Sequence, residues 1–550
     1  MDSSPRSDPG QRCVVRPGTA DEHRAAERAN LSRSGFPTCH VRCRRPSHVR
    51  PGRDAPTDVA VREGPTVSRP TFQPDHLDVE AVVIGAGPAG LAAAKTLAAR
   101  GVSYRQFEKG SMVGGLWRID NDNGAAAAYE TLHLNSSRPR TAFPSHPMPE
   151  DWPDYPSHEL VASYFQDLAD RFGLTERITF NAEVVAVEPL HGDGPPGAEG
   201  WQVTTATGET VTTRAVLVAN GHHGVPKQPE LPGSFTGNWF HSHDYREPTV
   251  FDGQRVLVMG VGNSGMDIAC DAAPLAEQVL LSTRHGVHVI PKYAFGKPVD
   301  QLSSPLTALL PFTVERALYE VLVRASVGRP QDRGLPRPDH RLLGAHPTVS
   351  SQLYDLVGHG DIEVVGDIEA LEGDKVRFAD GRVEAVDVLV YATGYQVSLP
   401  FLAPAVLDVR DNELPLYQRV VAPERPGLYL LGFIQTVGAN IALMEHQAEW
   451  VGDLLTGEAV LPSVEEMQDW VRRDRKAMAR RYLRSERHTM QVDYWRYIRA
   501  IEQERQRKGQ PGLRLTPRLG DAAAVTRGVS GRASAALRLV SERAADRVGR

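Results

Sequence analysis

The sequence predicts an α/β fold that contains two Rossmann-like dinucleotide-binding domains. The prediction depends on two glycine-rich turns with the pattern Gly-x-Gly-x-x-Gly, at residues 85–90 and 260–265. Each turn follows a short apolar run, at 77–84 and 255–259, that is typical of a buried parallel strand. Each turn also precedes a segment with helical character, and strand, tight turn and helix in this order form the phosphate-binding part of such a domain.

The N-terminal segment, residues 1–76, is expected to be disordered. It is rich in Arg, Pro, Ser and Gly and shows neither helix nor strand periodicity. Its candidate metal ligands are Cys39, His40, Cys43 and His48. Their spacing is too irregular for a zinc site, so no metal is expected. An Arg-rich leader or a misplaced translation start would also account for the segment.

The first glycine-rich turn has the features of a dinucleotide site. Its glycines let the backbone approach a pyrophosphate, and the N-terminus of the following helix, 91–100, meets the negative charge. Glu108 ends the next strand, 102–107, about twenty residues after the turn, where an acid accepts from an adenosine ribose hydroxyl. The residues predicted to bind this first cofactor are Gly85, Gly87, Pro88, Ala89, Gly90 and Glu108.

The second turn favours a phosphorylated nicotinamide dinucleotide. The strand after it, 278–282, ends without an acid and continues into Thr283 and Arg284. A planar, permanently charged guanidinium suits a 2′-phosphate, so NADPH is favoured over NADH, although a strand-end Arg can also be a plain solvated residue. The residues predicted to bind this cofactor are Gly260, Gly262, Asn263, Ser264, Gly265, Ser282 and Arg284.

The remaining elements follow from hydrophobic periodicity. A helix is predicted at 157–172, with Ser157 as its N-cap and Gly173 as its stop, and a second Rossmann helix at 264–273. The further strands are predicted at 178–186, 201–205, 215–219, 361–365, 375–378 and 386–391. In an insert at 295–345, the apolar stretch 306–327 predicts a helix pair, and its charged residues favour packing over membrane insertion. The basic C-terminal segment, 505–550, is expected to be disordered, with one short helix near 533–548 as an option.

The composition is that of a large, ordinary globular enzyme. With 550 residues, of which 41% are hydrophobic and 24% charged, the chain can form two large domains. The net charge is −6 and the arginines are concentrated toward the two ends, so no extended basic field points to a nucleic-acid partner. Only Cys270 lies outside the N-terminal segment, which indicates a reducing compartment and excludes a disulfide scaffold. No apolar run reaches the length of about 18 residues of a membrane span, and a secretory signal is missing, so we expect a cytoplasmic protein.

Several further segments match one known family. The stretch Phe235-x-Gly237-x-x-x-His241-x-x-x-Tyr245 lies between the two turns. The other matching segments, in the family's order, are 114–118, 129–135, 260–268, 391–395 with Asp387 before them, and 445–447. In these motifs the chain resembles the flavin-containing monooxygenases, which use FAD and NADPH. One departure is Val218-Ala-Asn-Gly221, where related sequences usually carry Thr before Gly.

This resemblance implies that an NADPH-binding domain is inserted into an FAD-binding domain. The expected parts are an FAD-binding domain at 77–246, an NADPH-binding domain with a helical insert at 247–385, and the return of the FAD-binding domain at 386–504. The stretch 235–245 is expected to act as the hinge between the two nucleotide pockets. The resemblance also implies that Gly115, Leu116 and Trp117 lie beside the flavin, that Val184 meets the adenine, and that Gln447 lies near the isoalloxazine.

The resemblance further implies a monooxygenase reaction. In the family, hydride from NADPH reduces the flavin, oxygen adds at its C4a carbon to give a peroxide, and a dry site preserves that peroxide until a substrate arrives. Asn135 is implied to hydrogen-bond the peroxide or the retained cofactor, although an Asn at a turn is often only structural. We therefore expect NADPH- and O2-dependent oxygenation of a small molecule at a soft nucleophilic nitrogen or sulfur atom.

Three alternatives stay open. Baeyer–Villiger insertion of oxygen beside a ketone is performed by relatives whose motif ends in Trp, where this chain has Tyr245. A two-domain NAD(P)H-dependent reductase is disfavoured because no Cys-x-x-Cys lies near the flavin motif, and a non-catalytic flavin-binding protein is the third class. The expected partners are a small-molecule substrate and O2, and the oligomeric state is open, with a homodimer as one option.

Overall fold

The computed structural model describes residues 77–190, 195–482 and 489–508 of the chain. The N-terminal segment 1–76, with its irregular group of Cys and His residues, lies outside these ranges. Most of the C-terminal segment 505–550 also lies outside them, as does the helix considered at 533–548.

The described residues form both α-helices and β-strands. The α-helices are α1 (Pro88–Ala99), α2 (Arg138–Thr141), α3 (His158–Arg171), α4 (Asn263–Ala272), α5 (Phe312–Val327), α6 (Leu353–His359), α7 (Ile441–Thr456), α8 (Val464–Arg481) and α9 (Tyr494–Arg505). The strands of the first half are β1 (Val79–Ile84), β2 (Tyr104–Phe107), β3 (Ile178–Thr179), β4 (Val184–Pro189), β5 (Trp201–Thr205), β6 (Thr210–Val218), β7 (Val225–Pro226), β8 (Gly233–Phe235), β9 (Asn238–His241), β10 (Arg255–Met259), β11 (Gln278–Ser282) and β12 (Val289–Ile290). Those of the second half are β13 (Tyr293–Ala294), β14 (Lys297–Pro298), β15 (Thr348–Val349), β16 (Glu363–Val365), β17 (Ile368–Gly373), β18 (Lys375–Phe378), β19 (Val383–Ala385), β20 (Val388–Tyr391), β21 (Tyr395–Gln396), β22 (Leu428–Leu430), β23 (Gln435–Thr436) and β24 (Gln491–Val492). Short 3-10 helices lie at Gly115–Trp117, Thr175–Arg177, Pro248–Phe251, Val299–Leu302, Thr307–Leu309 and Pro330–Arg333.

The first sheet is built around β1. This strand pairs in parallel with β2 and β6, and β3 and β22 extend the parallel part, while β4, β5 and β6 form an antiparallel meander. Ala81 and Val83 of β1 pack on one face against a core that includes α1 and α7, whereas Val82 and Ile84 pack on the other face. Because successive strand residues point to opposite faces and both faces are buried, the strand is apolar at consecutive positions.

The second sheet is wholly parallel, in the order β16, β11, β10, β20 and β9. Val256 and Val258 of β10 pack in a core that includes α4, and Leu257 and Met259 pack on the opposite face against β17 and β18. In each sheet the central strand leads through a glycine-rich turn into a helix. The predicted α/β class with two Rossmann-like domains is therefore confirmed.

The chain crosses between the two sheets at places other than those expected. The boundaries at 246 and 386 placed β9 and β20 in the FAD-binding domain, but both strands pair within the second sheet. The outgoing chain at β7 and the returning chain at β21 pair with each other in antiparallel fashion. The Lys227 N–H donates to the Gly394 carbonyl at 2.9 Å, so the two connections lie side by side. Local patterns did not reveal this because β9 pairs with a strand far along the chain.

The stretch 235–245 starts in a small sheet formed by β8, β17, β18 and β19 and continues through β9 of the second sheet into its core, and its expected role as a hinge stays a prediction. Phe235 ends β8, which pairs with β17, and Tyr245 is 1% exposed in the core that contains α4. His241 is buried, its Nδ1 accepts from the backbone N–H of His243 at 3.0 Å, and burial lowers the pKa of its imidazole. These contacts favour a structural hydrogen bond as the role of His241.

The insert carries one α-helix where the sequence predicted a helix pair. A short 3-10 helix at Thr307–Leu309 precedes α5, and Pro311 separates the two because it lacks a backbone N–H to continue a helix. Among the described helices, none is both long and apolar enough to cross a bilayer. The strand predicted at 178–186 is also interrupted, between β3 and β4, where Asn181 takes a left-handed conformation with φ of 54°.

Candidate dinucleotide-binding and active site

In the first glycine-rich turn, neighbouring backbone segments lie so close together that two positions accept only glycine. Gly85 has φ of +104°, and a Cβ on it would lie 2.6 Å from the carbonyl oxygen of Ala219. A Cβ on Gly90 would lie 2.0 Å from the Gly85 carbonyl oxygen, so α1 can only approach the turn with glycine there. Gly87 caps α1 in an extended conformation and Pro88 follows as its first residue, which leaves the free N–H groups of the first turn available to an anion.

Glu108 lies beside this turn, and its carboxylate holds the loop. It is 4% exposed, and its two oxygens accept from the backbone N–H groups of Ala86 at 2.6 Å and Gly110 at 2.8 Å. A third, longer bond comes from the Asn123 amide at 3.3 Å. A carboxylate offers about four lone-pair positions, so the acid can brace the loop and still accept a ribose hydroxyl. The predicted ribose contact remains a prediction.

The 3-10 helix at Gly115–Trp117 packs against the first glycine-rich turn. The Gly114 N–H donates to the Ala86 carbonyl at 3.0 Å. A Cβ on Gly115 would lie 3.0 Å from Cα of Gly87, so the two backbones are in direct contact. The structure therefore brings this predicted flavin-side segment next to the predicted phosphate loop.

The side chain of Gln447 is engaged within the protein, and its predicted place near the isoalloxazine stays a prediction. It is fully buried; its Oε1 accepts from the Gly432 N–H at 2.9 Å and its Nε2 donates to the Tyr497 hydroxyl at 2.7 Å. A Cβ on Gly432 would lie 3.1 Å from Cβ of Ala89, so Gln447 supports the loop that packs on the start of α1. Val184 begins β4 as a buried core residue, and its adenine contact remains a prediction.

The second glycine-rich turn repeats the geometry of the first. Gly260 has φ of +109°, and its Cβ would lie 2.6 Å from the Ala392 carbonyl oxygen. A Cβ on Gly265 would lie 2.0 Å from the Gly260 carbonyl oxygen. Gly262 caps α4 in an extended conformation, as Gly87 caps α1. The two turns therefore form two equivalent anion cradles.

Two of the polar residues predicted to bind the second cofactor are already engaged within the protein. The Asn263 Oδ1 accepts from the Val349 N–H at 3.0 Å, and Ser264 beside it is half-buried. The Ser282 hydroxyl donates to the Gly366 carbonyl at 2.8 Å, and Ser282 is only 2% exposed. The hydroxyl proton of Ser282 is committed to the neighbouring loop, and the predicted cofactor contact of Ser282 stays a prediction.

Arg284, in contrast, is exposed and lies at the edge of the second turn. β10 and β11 pair Met259 with Ser282, and the Gly260 N–H donates to the Ser282 carbonyl at 3.0 Å, so the chain after β11 emerges beside the turn. With the residues that the structure describes, Arg284 makes no hydrogen bond or ion pair. A guanidinium in this position is suited to a phosphate on the adenosine ribose.

Asn135 carries a buried acceptor that lacks a donor. Its Oδ1 is inaccessible to solvent and has no hydrogen-bond partner among the described residues. The carbonyl of Leu134, directly before it, accepts from the Lys292 ammonium at 3.3 Å. Leaving a buried acceptor unpaired costs about 1–3 kcal/mol, which favours a ligand that donates to it. The two cradles fit a protein that binds two dinucleotides, and the unpaired acceptor of Asn135 fits a donor that a ligand supplies.

Sequence analysis missed a buried polar cluster between α4 and the segment before Asn135. The Tyr129 hydroxyl donates to Asp267 at 2.8 Å, and Asp271 accepts from the hydroxyls of Thr131 and Tyr245. Burial raises the pKa of Asp267 to about 6 and also raises that of Asp271. The available signal was the spacing of two acids four residues apart on one helix, which places them on one face.

A sequence profile described as flavin-binding monooxygenase-like matches residues 79–516 of the chain. Flavin-containing monooxygenase 5 of Rattus norvegicus is 35% identical over 429 residues, which cover 75% of this chain and 80% of the relative. Flavin-containing monooxygenase 3 of Homo sapiens is 32% identical over 434 residues, which cover 76% of this chain and 80% of the relative.

Solved structures show the same arrangement of domains. S-allyl-L-cysteine S-oxygenase from Allium sativum matches with a TM-score of 0.58 at 26% identity, covering 79% of this chain and 90% of that one. A steroid monooxygenase bound to NADP matches with a TM-score of 0.59 at 22% identity, covering 77% of this chain and 97% of that one. The second likeness establishes a shared fold.

Proposed function

Because the chain belongs to the flavin-binding monooxygenase-like family and is therefore an FAD- and NADPH-dependent monooxygenase, we propose that it oxygenates a small molecule at a soft nucleophilic nitrogen or sulfur atom. The observation that carries this proposal is the buried Oδ1 of Asn135, unpaired among the described residues, in a chain that also has two anion cradles. The S-oxygenase from Allium sativum, which shares the fold and acts on a sulfur atom by its name, supports the choice of substrate atom.

When bound, the two cofactors supply hydride transfer and the activation of O2, which protein side chains cannot perform. The chain's own residues would bind and orient these cofactors. The glycine-rich turns would hold the two pyrophosphates, Glu108 would accept from a ribose hydroxyl, and Arg284 would bind the 2′-phosphate. Asn135 would accept a hydrogen bond from a bound ligand through its buried Oδ1, and exclusion of water by the loaded site would limit loss of the oxygen as hydrogen peroxide.

The position of Tyr245 bears on the Baeyer–Villiger alternative. Its ring is buried between Phe240 and Phe251, with centroid distances of 6.5 and 5.5 Å, and its hydroxyl donates to Asp271 at 2.9 Å. A residue packed in this way does not line an open site, so a Tyr or Trp here acts on chemistry only indirectly. Ketone oxygenation therefore remains the second candidate, and a direct assay separates the two.

The assay uses the purified protein with FAD, NADPH and O2, offered a thioether, a tertiary amine and a cyclic ketone in competition. We expect the sulfoxide or the N-oxide as the dominant product, with about one NADPH consumed for each product molecule. A lactone as the dominant product would overturn the proposal. NADPH consumption that yields only hydrogen peroxide with all three substrates would contradict nitrogen and sulfur oxygenation as well.

Asn135→Ala tests the role of the unpaired acceptor. We expect the product formed per NADPH to fall by roughly tenfold or more, the amount that one hydrogen bond to a charged group is worth, with hydrogen peroxide making up the difference. The matched control is Asn238→Ala, because Asn238 is exposed on β9 and its backbone bond to Asp387 survives the substitution. Equal coupling in both variants would remove Asn135 from the reaction.

We also propose a cytoplasmic location, supported by the concentration of cysteines in the N-terminal segment and the lack of a disulfide framework in the sequence. Fractionation of the source cells tests the location. A homodimer is the assembly to test, and light scattering of the purified protein measures it directly.

A further inference from the structure

Residues 129–135, here called the bridging segment, belong to both halves of the molecule. Tyr129 and Leu132 pack in the core that contains β10 and α4, whereas Leu134 packs in the core that contains β1 and α1. Asn135 ends the segment directly after this change of core. Its position is therefore set by contacts to both dinucleotide-binding domains.

Two hydroxyl groups of the bridging segment bind the helix of the second glycine-rich turn. Tyr129 donates to Asp267 at 2.8 Å, and Thr131 donates to Asp271 one turn further along α4. The helix starts at Gly262, so Asp267 lies about 7.5 Å along the axis from the phosphate cradle at a rise of about 1.5 Å per residue. A shift of the turn is carried along this rigid helix to both carboxylates.

The two carboxylates do not stabilise this region more than apolar side chains would. Asp267 is half-buried, its hydrogen-bond partner among the described side chains is Tyr129, and a second half-buried acid lies four residues away on the same helix. Apolar side chains of similar volume would stabilise a core at least as well, because a buried carboxylate loses its hydration. A directional bond to the bridging segment is what the acids provide and apolar residues do not.

We infer that Asp267 and Asp271 are positioning residues that transmit occupancy of the second glycine-rich turn by NADP to the bridging segment and so to Asn135. The inference rests on the proposed role of Asn135 for its catalytic meaning. The transmission itself is a property of the binary complex and can be measured without turnover.

The test compares three variants that each remove one hydroxyl group. Tyr129→Phe and Thr131→Val remove donors that reach α4 from the bridging segment. Tyr245→Phe is the matched control, because Tyr245 donates to the same Asp271 carboxylate from within the second domain, at 2.9 Å. Thr131→Ser keeps the hydroxyl and serves as the conservative rescue.

The measurement is amide hydrogen exchange in residues 129–137 of the FAD-loaded protein, with and without saturating NADP+. In the unmodified protein, in Tyr245→Phe and in Thr131→Ser, we expect NADP+ to slow exchange by roughly 2- to 10-fold, the range that one or two hydrogen bonds support. In Tyr129→Phe and Thr131→Val the slowing should fall below about twofold while NADP+ still binds. Slowing that persists in the Tyr129→Phe, Thr131→Val double variant would overturn the inference.

A second readout separates this inference from the proposed function. Product formed per NADPH should fall in Tyr129→Phe and Thr131→Val and stay unchanged in Tyr245→Phe. If the unmodified protein forms no oxygenated product, the proposed function fails, whereas the exchange measurement still decides the transmission. If Thr131→Val loses FAD through misfolding, the exchange measurement on Thr131→Ser and Tyr129→Phe decides whether the transmission occurs.

Discussion

Asp267 is a half-buried carboxyl group whose ionisation opposes folding. Burial is the main cause that raises its pKa to about 6 from an ordinary value of 3.8. The groups that face it are Tyr129, Asp271, Lys292 and His133. Because the folded state binds the proton more tightly than the unfolded state, the free energy of unfolding should rise as the pH falls from above 6 to below 4.

Asp267→Asn removes this titrating carboxyl group. We therefore expect the plot of unfolding free energy against pH to lose slope between about 4 and 6. Urea denaturation at several pH values measures it. Asp387→Asn is the opposite control, because hydrogen bonds from Arg255 lower the pKa of Asp387 to about 2. That carboxylate stabilises the fold above its ordinary pKa, and its contribution is lost as the pH falls through 2. An unchanged slope in Asp267→Asn would show that other groups set the pH dependence.

Arg284 should distinguish the two nicotinamide dinucleotides. Its guanidinium is exposed beside the second turn and free of ion pairs to described residues, so a 2′-phosphate would gain a charge-assisted bond. We expect Arg284→Ala to weaken the binding of NADPH by roughly 1.5–3 kcal/mol, or about 10- to 150-fold, with little effect on the binding of NADH. Steady-state titration of both coenzymes measures this, with Arg324→Ala, an exposed Arg on α5, as control. Equal loss for both coenzymes would show that Arg284 does not recognise the phosphate.

Individual residues were predictable where their chemistry is local. Gly85 and Gly260 were found from spacing alone, because a positive φ and a close backbone contact restrict such positions to glycine. The side chains of Ser282 and Gln447 bond within the protein to partners, such as Gly366, that their motifs did not reveal because these partners lie elsewhere in the sequence. Side-chain direction depends on tertiary contacts that a motif does not contain.

At the scale of elements, each glycine-rich turn depends on one helical glycine that touches the preceding strand end. Alanine at Gly90 or Gly265 would place Cβ 2.0 Å from the carbonyl oxygen of Gly85 or Gly260, so α1 or α4 must move away. We expect Gly90→Ala to lose FAD and Gly265→Ala to keep FAD but lose NADP+. Flavin absorbance and NADP+ titration measure the two losses.

The matched control for these substitutions is Gly358→Ala. A Cβ on Gly358 would meet nothing within 4 Å, and its φ is not positive, so alanine in α6 should be neutral or slightly stabilising. The two loop variants also control each other, because they make the same steric change in different domains. Loss of both cofactors in either variant would mean that the two turns do not fold as separate elements.

Elements were predicted well where a local pattern determines them. Strands β5, β10, β11 and β18 have the predicted bounds, because their apolar runs end at turn residues. The assignment of β9 and β20 to a sheet required knowledge of pairing between distant segments, and so did the position of the crossing. The apolar stretch of the insert was predicted as a helix pair, but Pro311 interrupts it because proline has no backbone N–H to continue a helix.

At the scale of the whole molecule, the second domain is inserted through two connections that touch. β7 and β21 pair Pro226 with Tyr395 and Val225 with Gln396 in antiparallel fashion, and Lys227 bonds to Gly394 at the end of this ladder. Two strands in this arrangement can be joined by a two-residue loop of the type I′ class, for which Asn-Gly is the preferred sequence. The first domain therefore has ends that are already positioned for direct closure.

We expect a chain in which residues 228–393 are replaced by Asn-Gly to fold and bind FAD without being reducible by NADPH. All three parts of the first cradle, namely β1, α1 and the 3-10 helix at Gly115–Trp117, remain in it, and the core around α1 and α7 stays complete. Tyr129 and Leu132 lose their partners in the second core, so the melting temperature should be lower than that of the full chain. Flavin absorbance after gel filtration and anaerobic mixing with NADPH measure the outcome.

The control for this excision is the same shortened chain with Gly90→Ala, which should bind no FAD because α1 is displaced from the turn. Chemical reduction with dithionite should still bleach the flavin of the shortened chain, which separates a missing hydride source from an inaccessible ring. If the shortened chain is folded and yet binds no FAD, the first cradle needs the second domain to form. In that case the bridging segment, which loses its contacts to the second core on excision, would have to support the binding of FAD as well as that of NADP.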